Sequence, residues 1–101
     1  MFYQLTVPAA VPGVEEIRIL EWHGEPGEAF ENGDLIVELE THKAVVEVRA
    51  GQAGVLREVK AAEGDWAEIG VQLALFADSA DEAMPDPSAQ SGELTVEFEV
   101  T

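Results

Sequence analysis

The sequence has no cysteine among its 101 residues. This absence excludes a disulfide framework, a thiolate metal site and a cysteine nucleophile. The only two histidines, His23 and His42, are well separated, so their spacing predicts no metal site. No apolar run reaches the length of a membrane span, and the first residues lack the basic start of a signal peptide. We therefore predict a soluble, cytoplasmic protein with no membrane association.

Basic residues are also scarce, with 5 lysines and arginines against 21 acidic residues and a net charge of -16. Such a surface repels phosphate backbones, which disfavours nucleic-acid binding. It attracts partners with basic docking faces over a Debye length of about 8 Å at physiological salt. Lys43 and Lys60 are the only lysines, so an enzyme that modifies one lysine meets little competition within the chain.

The length suits one domain with a modest core and leaves no room for a second, catalytic domain. Residues 34–49 contain two runs in which apolar and polar residues alternate, which predicts a β-hairpin. If His42 and Lys43 form its turn, the facing pairs include Val37/Val48, Leu39/Val46 and Ile36/Arg49, and Lys43 lies at the apex. A two-residue turn usually contains Asn-Gly or Asp-Gly, and this one does not. A local rule broken at an exposed point indicates a functional residue.

The tip sequence Glu40-Thr41-His42-Lys43-Ala44 resembles the attachment hairpin of lipoyl domains, whose usual form is Glu-Thr-Asp-Lys-Ala. The resemblance continues through Ile17–Trp22, Glu25–Glu28, Ala53–Leu56 and Glu63–Asp65 to Leu75 and Phe76. It departs from the usual form at His42. It implies that lipoate is amide-linked to Lys43 and that Glu40, Thr41, His42 and Ala44 take part in recognition by the modifying enzyme. It also implies that the termini lie at the end of the domain opposite the lysine.

A loop with two prolines precedes the second predicted strand. In lipoyl domains the corresponding loop lies beside the lysine hairpin and contributes to recognition by the decarboxylase. The resemblance therefore assigns partner recognition to Val11, Pro12, Gly13, Val14, Glu15 and Glu16.

The chain contains an internal repeat with a shift of 37 residues, which places Gly27 on Gly64 and Gly33 on Gly70. Two copies of one strand-turn-strand unit predict an all-β fold, in which two antiparallel sheets with pseudo-twofold symmetry form a flattened barrel or sandwich. This is also the fold that the resemblance implies. Only the first copy carries a lysine at its tip.

The predicted lipoyl domain covers residues 1–77. Residues 78–92 are rich in Ala, Pro, Ser and Asp and predict a flexible linker. Residues 93–101 alternate strictly, with Leu94, Val96, Phe98 and Val100 on one face, and predict an extra strand. The apolar face of this strand must be buried on its own domain, on a second copy or on a partner.

The resemblance implies a non-catalytic lipoyl carrier of a 2-oxo acid or acetoin dehydrogenase type complex, either free-standing or part of an acyltransferase. Its partners would be a lipoate-attaching enzyme and the decarboxylase, acyltransferase and dihydrolipoyl dehydrogenase components. A biotinyl carrier is the first alternative, although that family sets its lysine between methionines, where His42 and Ala44 stand here. An unmodified acidic interaction module is the second, and a glycine-cleavage carrier is also conceivable.

Overall fold

A computed structural model describes residues 1–9, 11, 13–81 and 92–101. Within these residues the secondary structure consists of ten strands. They are β1 (Phe2–Thr6), β2 (Glu16–Trp22), β3 (Ala29–Phe30), β4 (Leu35–Glu40), β5 (Val45–Ala50), β6 (Gly54–Val59), β7 (Trp66–Glu68), β8 (Gln72–Ala77), β9 (Gly92–Glu93) and β10 (Val96–Val100). No helix in the described part of the chain is long and apolar enough to cross a membrane.

The strands form two five-stranded sheets with the orders β3-β6-β8-β1-β9 and β10-β5-β4-β2-β7. The all-β, two-sheet prediction is thus confirmed. All neighbouring strands are antiparallel except β1 and the two-residue β9, which pair in parallel at one edge. The period-two pattern of the strands sends one set of side chains inward. Both sheets contribute to a single core whose largest fully buried members include Leu5, Ile19, Ile36, Leu39, Leu56, Leu73 and Phe76.

The pseudo-twofold symmetry is visible in the backbone hydrogen bonds. The amide of Gly27 donates to the carbonyl of Leu56 at 2.7 Å, and the amide of Gly64 donates to that of Ile19 at 2.8 Å. These are the same contact with the two halves of the chain exchanged, so the internal repeat is a structural repeat. Each half places a short strand, β3 or β7, after its first glycine turn, and the sequence pattern did not predict these two strands.

The hairpin of β4 and β5 has the predicted pairs Val37/Val48 and Leu39/Val46. The predicted pair Ile36/Arg49 is wrong, because a bulge between Leu35 and Val37 makes Leu35 the partner of Arg49. A bulge inserts one unpaired residue and lets both of its neighbours keep their pairing. Ile36 is that residue, and its side chain is fully buried.

The predicted extra strand at 93–101 is two strands, and they lie on different sheets. β9 begins at Gly92, one residue inside the predicted linker, and pairs with β1. β10 pairs with β5 along its whole length, from Val96 opposite Ala50 to Val100 opposite Val46. The part of the predicted linker at 82–91 lies outside the described residues. The boundaries 1–77, 78–92 and 93–101 as domain, linker and tail stay a prediction.

Both ends of the predicted 1–77 domain lie together, away from the lysine, as expected, whereas the last residue of the tail does not. Thr101 exchanges two backbone hydrogen bonds with Val45, at 2.8 and 3.0 Å, and Val45 is two residues from Lys43. Met1 lies at the other end, where its ammonium is 3.3 Å from the carboxylate of Asp78. The resemblance could not predict this, because it covered no residue beyond Phe76.

The glycine repeat gives a prediction about stability. Gly33 and Gly70 have φ values of 97° and 89°, and a Cβ atom added at either would have no neighbour within 4 Å. We expect Gly33→Ala and Gly70→Ala each to lower the free energy of unfolding by about 1–2 kcal/mol, through the left-handed backbone alone. Chemical denaturation measures this. Gly54→Ala is the matched control, since Gly54 has no positive φ and the nearest atom to its added Cβ is at 3.6 Å. An equal loss in all three variants would contradict the backbone explanation.

Candidate functional site

The candidate site is the tip of the β4–β5 hairpin, and its position is set by the core below it. Val37, Leu39, Val46 and Val48 share the inner face and are at most 2% exposed. Since β2 lies beside β4 and β10 beside β5, both strands of the hairpin are flanked within their sheet. A one-residue slip would turn these four side chains toward water, so the register of the hairpin is strongly specified.

The turn itself is held by the side chain of Thr41. Its hydroxyl oxygen accepts hydrogen bonds from the amides of Lys43 at 3.0 Å and Ala44 at 2.9 Å, and it donates to the carbonyl of Ala44 at 3.2 Å. The amide of Thr41 also donates to that carbonyl at 2.8 Å. Thr41 is only 6% exposed.

This arrangement explains why the turn contains neither glycine nor asparagine. No non-glycine residue in the described part of the chain has a positive φ, so the tip is not one of the primed turns that need it. A threonine hydroxyl that bonds nearby backbone amides stabilises a turn in their place. The unusual composition of the turn is therefore a local structural solution, and it is not by itself a sign of function.

Lys43 and His42 are both exposed at the apex. Within the described part of the chain, the amine of Lys43 makes no hydrogen bond and no ion pair. A solvated amine on a protruding turn is well placed to be modified by an enzyme that must close around it.

The glutamates of the hairpin have partners on its strands and neighbouring strands. Glu40 is 3.7 Å from the guanidinium of Arg18, and Glu47 is 3.7 Å from that of Arg49. Glu38 is 2.7 Å from Nε2 of His23. Exposed pairs of this kind contribute little to stability. They leave the apex lysine with no counter-ion from its own hairpin.

The loop that precedes β2 lies at the same end of the domain as the tip. β2 and β4 pair with Arg18 opposite Glu40, so the start of β2 is level with the end of β4. Val11 and Val14 of this loop are half-buried against the core, while Glu15 and Glu16 are exposed and line a shallow hollow with Glu68. Gly13 has a φ of 81°, and Pro12 lies outside the described residues. The recognition role of the loop stays a prediction.

The second lysine has different surroundings. Lys60 directly follows β6 in the other sheet, its backbone amide bonds the carbonyl of Leu73, and its amine is 2.9 Å from the carboxylate of Glu58. It does not project from a two-residue turn. The two lysines therefore differ in their position in the fold and in whether the amine has an ion-pair partner among the described residues.

A histidine and two glutamates form a group that the sequence spacing did not indicate. His23, Glu21 and Glu38 offer ligand atoms that all lie within 4.8 Å of one another on the outer face of β2 and β4. The bulge between Ile19 and Glu21 changes the phase of β2 and brings Glu21 opposite Glu38. Widely spaced histidines therefore do not by themselves rule out a metal-ligand group, because carboxylates can supply the other ligands.

The family of the chain follows from three comparisons with known proteins. The biotin/lipoyl family model, described as "Biotin-requiring enzyme", matches residues 3–76. The solution structure of the lipoyl domain of the 2-oxoglutarate dehydrogenase complex from Azotobacter vinelandii superposes with a TM-score of 0.66 and 32% identity, over 76% of this chain and 98% of that one. The chain belongs to the biotin/lipoyl family, and it is a lipoyl domain.

Curated relatives of this lipoyl domain are much longer proteins. The succinyltransferase component of the 2-oxoglutarate dehydrogenase complex of Staphylococcus saprophyticus is 42% identical over 72 residues, which is 71% of this chain and 17% of the relative. That of Bacillus subtilis is 33% identical over 89 residues, 87% of this chain and 21% of the relative. The lipoyl domain thus spans about a fifth of the length of these two relatives. The family match ends at Phe76, so β9 and β10 lie beyond it.

The geometry of the turn predicts that Thr41 stabilises the lipoyl domain and Lys43 does not. We expect Thr41→Val to lower the free energy of unfolding by about 1–3 kcal/mol, because two backbone amides lose their acceptor. Thr41→Ser keeps the hydroxyl and serves as the matched control. Lys43→Ala should change stability by no more than about 0.5 kcal/mol, since it removes an exposed, unpaired side chain. Chemical denaturation of the three variants gives the comparison, and a Thr41→Val protein as stable as wild type would contradict the role of the hydroxyl.

Proposed function

We propose that Lys43 carries lipoate in amide linkage and that this lipoyl domain presents the arm to the active sites of a 2-oxo acid or acetoin dehydrogenase type complex. One observation carries the proposal: Lys43 is exposed at the apex of a hairpin whose register and turn are both fixed, and its amine has no partner among the residues that the structure describes. The residues present fit the cofactor, because an amide bond needs an accessible amine and a long arm needs an attachment point that protrudes.

The domain positions the lipoyl arm for the reaction and carries out no catalytic step of its own. When attached, lipoate supplies a dithiolane that can take up an acyl group together with two electrons and pass the acyl group to an acceptor. The β-sheets hold Lys43 outward, and the Thr41 hydroxyl keeps the backbone around it in one conformation. A tethered carrier raises the concentration of its arm at each active site to roughly the millimolar range, which is why it can be small.

The names of the relatives support the class of complex. The Staphylococcus saprophyticus and Bacillus subtilis relatives are succinyltransferase components of 2-oxoglutarate dehydrogenase complexes, and a relative from Zymomonas mobilis is the acetyltransferase component of a pyruvate dehydrogenase complex. We infer that the partners are a lipoate-attaching enzyme and decarboxylase, acyltransferase and dihydrolipoyl dehydrogenase components. The acidic surface, with its net charge of -16, favours basic docking faces on them. A cytoplasmic location stays a prediction.

Biotin on the same lysine is the competing proposal, because the matching family includes both cofactors. His42 and Ala44 flank the lysine where biotinyl carriers have methionines, and the matching solved structure is a lipoyl domain. These two observations favour lipoate.

Mass spectrometry tests the proposed attachment. We expect incubation with a lipoate-attaching enzyme, ATP and lipoate to add one lipoyl group, found by peptide mapping on Lys43. Lys60→Arg should be modified to the same extent as wild type, and Lys43→Arg should not be modified. The same variants with a biotin-attaching enzyme form the second arm. Lipoate on Lys60, or biotin and no lipoate on Lys43, would contradict the proposal.

His42 gives a separate prediction about recognition. We expect His42→Asp, which restores the usual acidic residue before the lysine, to raise the rate of lipoylation and of reductive acylation by the decarboxylase. The fold should be unaffected, because His42 is exposed and lies outside the paired residues of the hairpin. Initial rates and the denaturation midpoint are measured for both proteins, with His42→Asn as the uncharged control. Equal rates for all three would show that recognition resides elsewhere, such as in the loop at 11–16.

A further inference from the structure

The apolar side chains of the C-terminal segment at 94–100, which ends in β10, are buried unequally. Leu94 is 5% exposed and Val96 is half-buried, whereas Phe98 and Val100 are 44% and 47% exposed. Residues directly opposite each other on neighbouring strands share a face of the sheet. Phe98 and Val100 lie opposite Val48 and Val46, which are buried, so all four belong to the inner, core-facing side. The inner side of the C-terminal segment therefore becomes more exposed to solvent toward the hairpin tip.

Phe98 and Val100 therefore form an apolar surface that continues the hydrophobic core outward, and we call it the rim patch. Its position is fixed by backbone pairing: Val100 lies opposite Val46, and Thr101 exchanges two hydrogen bonds with Val45. Val45 and Val46 are two and three residues from Lys43. The rim patch is thus next to the attachment lysine.

The size and surroundings of the rim patch argue against a protein occupant. Two half-exposed side chains offer on the order of 200 Å² of apolar surface, whereas the apolar part of a stable protein interface is roughly half of about 800 Å² on each partner. On the same strand, Glu97 and Glu99 stand on either side of Phe98. A second copy that paired antiparallel along β10 about Phe98 would set Glu97 against the partner's Glu99, and like charges directly opposite are destabilising. A small, uncharged and apolar occupant fits this surface better.

We propose that the rim patch is the resting place of the lipoyl arm attached to Lys43. The proposal rests on the proposed function, and it adds a binding site for the arm on the domain that carries it. The separation along β5 from Lys43 to Val46 is at most about 10 Å at about 3.3 Å per residue, and β10 lies about 4.8 Å further across. The lysine side chain followed by the acyl chain of lipoate spans this distance. Because the arm is tethered, even a weak apolar contact is occupied for much of the time.

Such a site would control access to the dithiolane. An arm that rests on Phe98 and Val100 is shielded from solvent reagents and must leave the patch to enter a partner's active site. The shielding comes from β10, which lies beyond the region matched by the family, so it distinguishes this lipoyl domain from one that ends at β8.

Amide chemical shifts of the full chain before and after lipoylation give the first test, with no substitution needed. Intact mass reports the modification independently of the shifts, so an unmodified protein refutes the proposed function and a modified one tests the resting site. We expect the amides of residues 98–100 to shift along with those at the tip. Shifts confined to residues 41–45 would overturn the proposal.

The rate at which a water-soluble phosphine reduces the dithiolane gives the second test. An arm docked for about half of the time reacts roughly half as fast, so Phe98→Ser/Val100→Ser should be reduced about twofold faster than wild type. Val71→Ser is the matched control, since Val71 is 44% exposed and lies between β7 and β8, and it should react as wild type does. Equal rates in all three proteins, or a faster rate in Val71→Ser alone, would overturn the proposal.

Protection of the Thr101 amide from hydrogen exchange shows whether β10 stays paired with β5 in the double variant. If it is lost, Phe98→Thr/Val100→Thr replaces the double serine variant, because threonine favours strands and is less apolar than the residues it replaces. A threonine variant that keeps the pairing and reacts at the wild-type rate would overturn the proposal equally.

Discussion

The position of Lys43, the proposed attachment residue, depends on one packing constraint. Four side chains on the inner face of the hairpin, Val37, Leu39, Val46 and Val48, are buried against the opposite sheet. Their burial allows a single register between β4 and β5, and that register places Thr41 where its hydroxyl can reach the amides of the turn. Core packing therefore fixes the position of Lys43, although the side chain of Lys43 is itself exposed. A carrier domain needs an exposed residue on a rigid hairpin, because the side chain must stay accessible while the backbone that holds it keeps one conformation.

The hairpin and the repeat could be predicted from the sequence because both depend on short-range patterns. Strict alternation identifies the inward face, and a mismatched register would expose apolar groups, so the pairs Val37/Val48 and Leu39/Val46 were correct. The partner of Arg49 was wrong, because a bulge leaves no trace in the alternation when the extra residue, Ile36, is itself apolar. The role of Thr41 was also missed. Its place in the motif suggested recognition, while its geometry shows that it builds the turn.

The docking of the last strand could not be predicted, for a different physical reason. Alternation shows that residues 94–100 have an apolar face, but every open sheet edge offers the same row of backbone hydrogen-bonding groups. The choice of β5 depends on contacts far apart in the sequence, such as the close approach of Thr95 to Gly51, where a Cβ atom would lie 2.9 Å from the threonine methyl carbon. The amide of Gly51 donates to the carbonyl of Thr95 at this point. A larger residue at 51 would separate the two segments, and no pattern within either one reveals that.

On the outer face of this sheet, the pairing of the strands places glutamates side by side on four neighbouring strands. Glu21 lies opposite Glu38, Glu38 opposite Glu47, and Glu47 opposite Glu99, so the carboxylates form a continuous row that β10 extends by one. The guanidinium of Arg49, 3.7 Å from Glu47, offsets part of this charge. Each added carboxylate raises the repulsion that the backbone pairing of β10 must overcome, and dissolved ions screen that repulsion. We expect β10 to pair more tightly with β5 as the ionic strength rises. The salt concentration would then determine how firmly the last strand covers the edge of β5 beside Lys43.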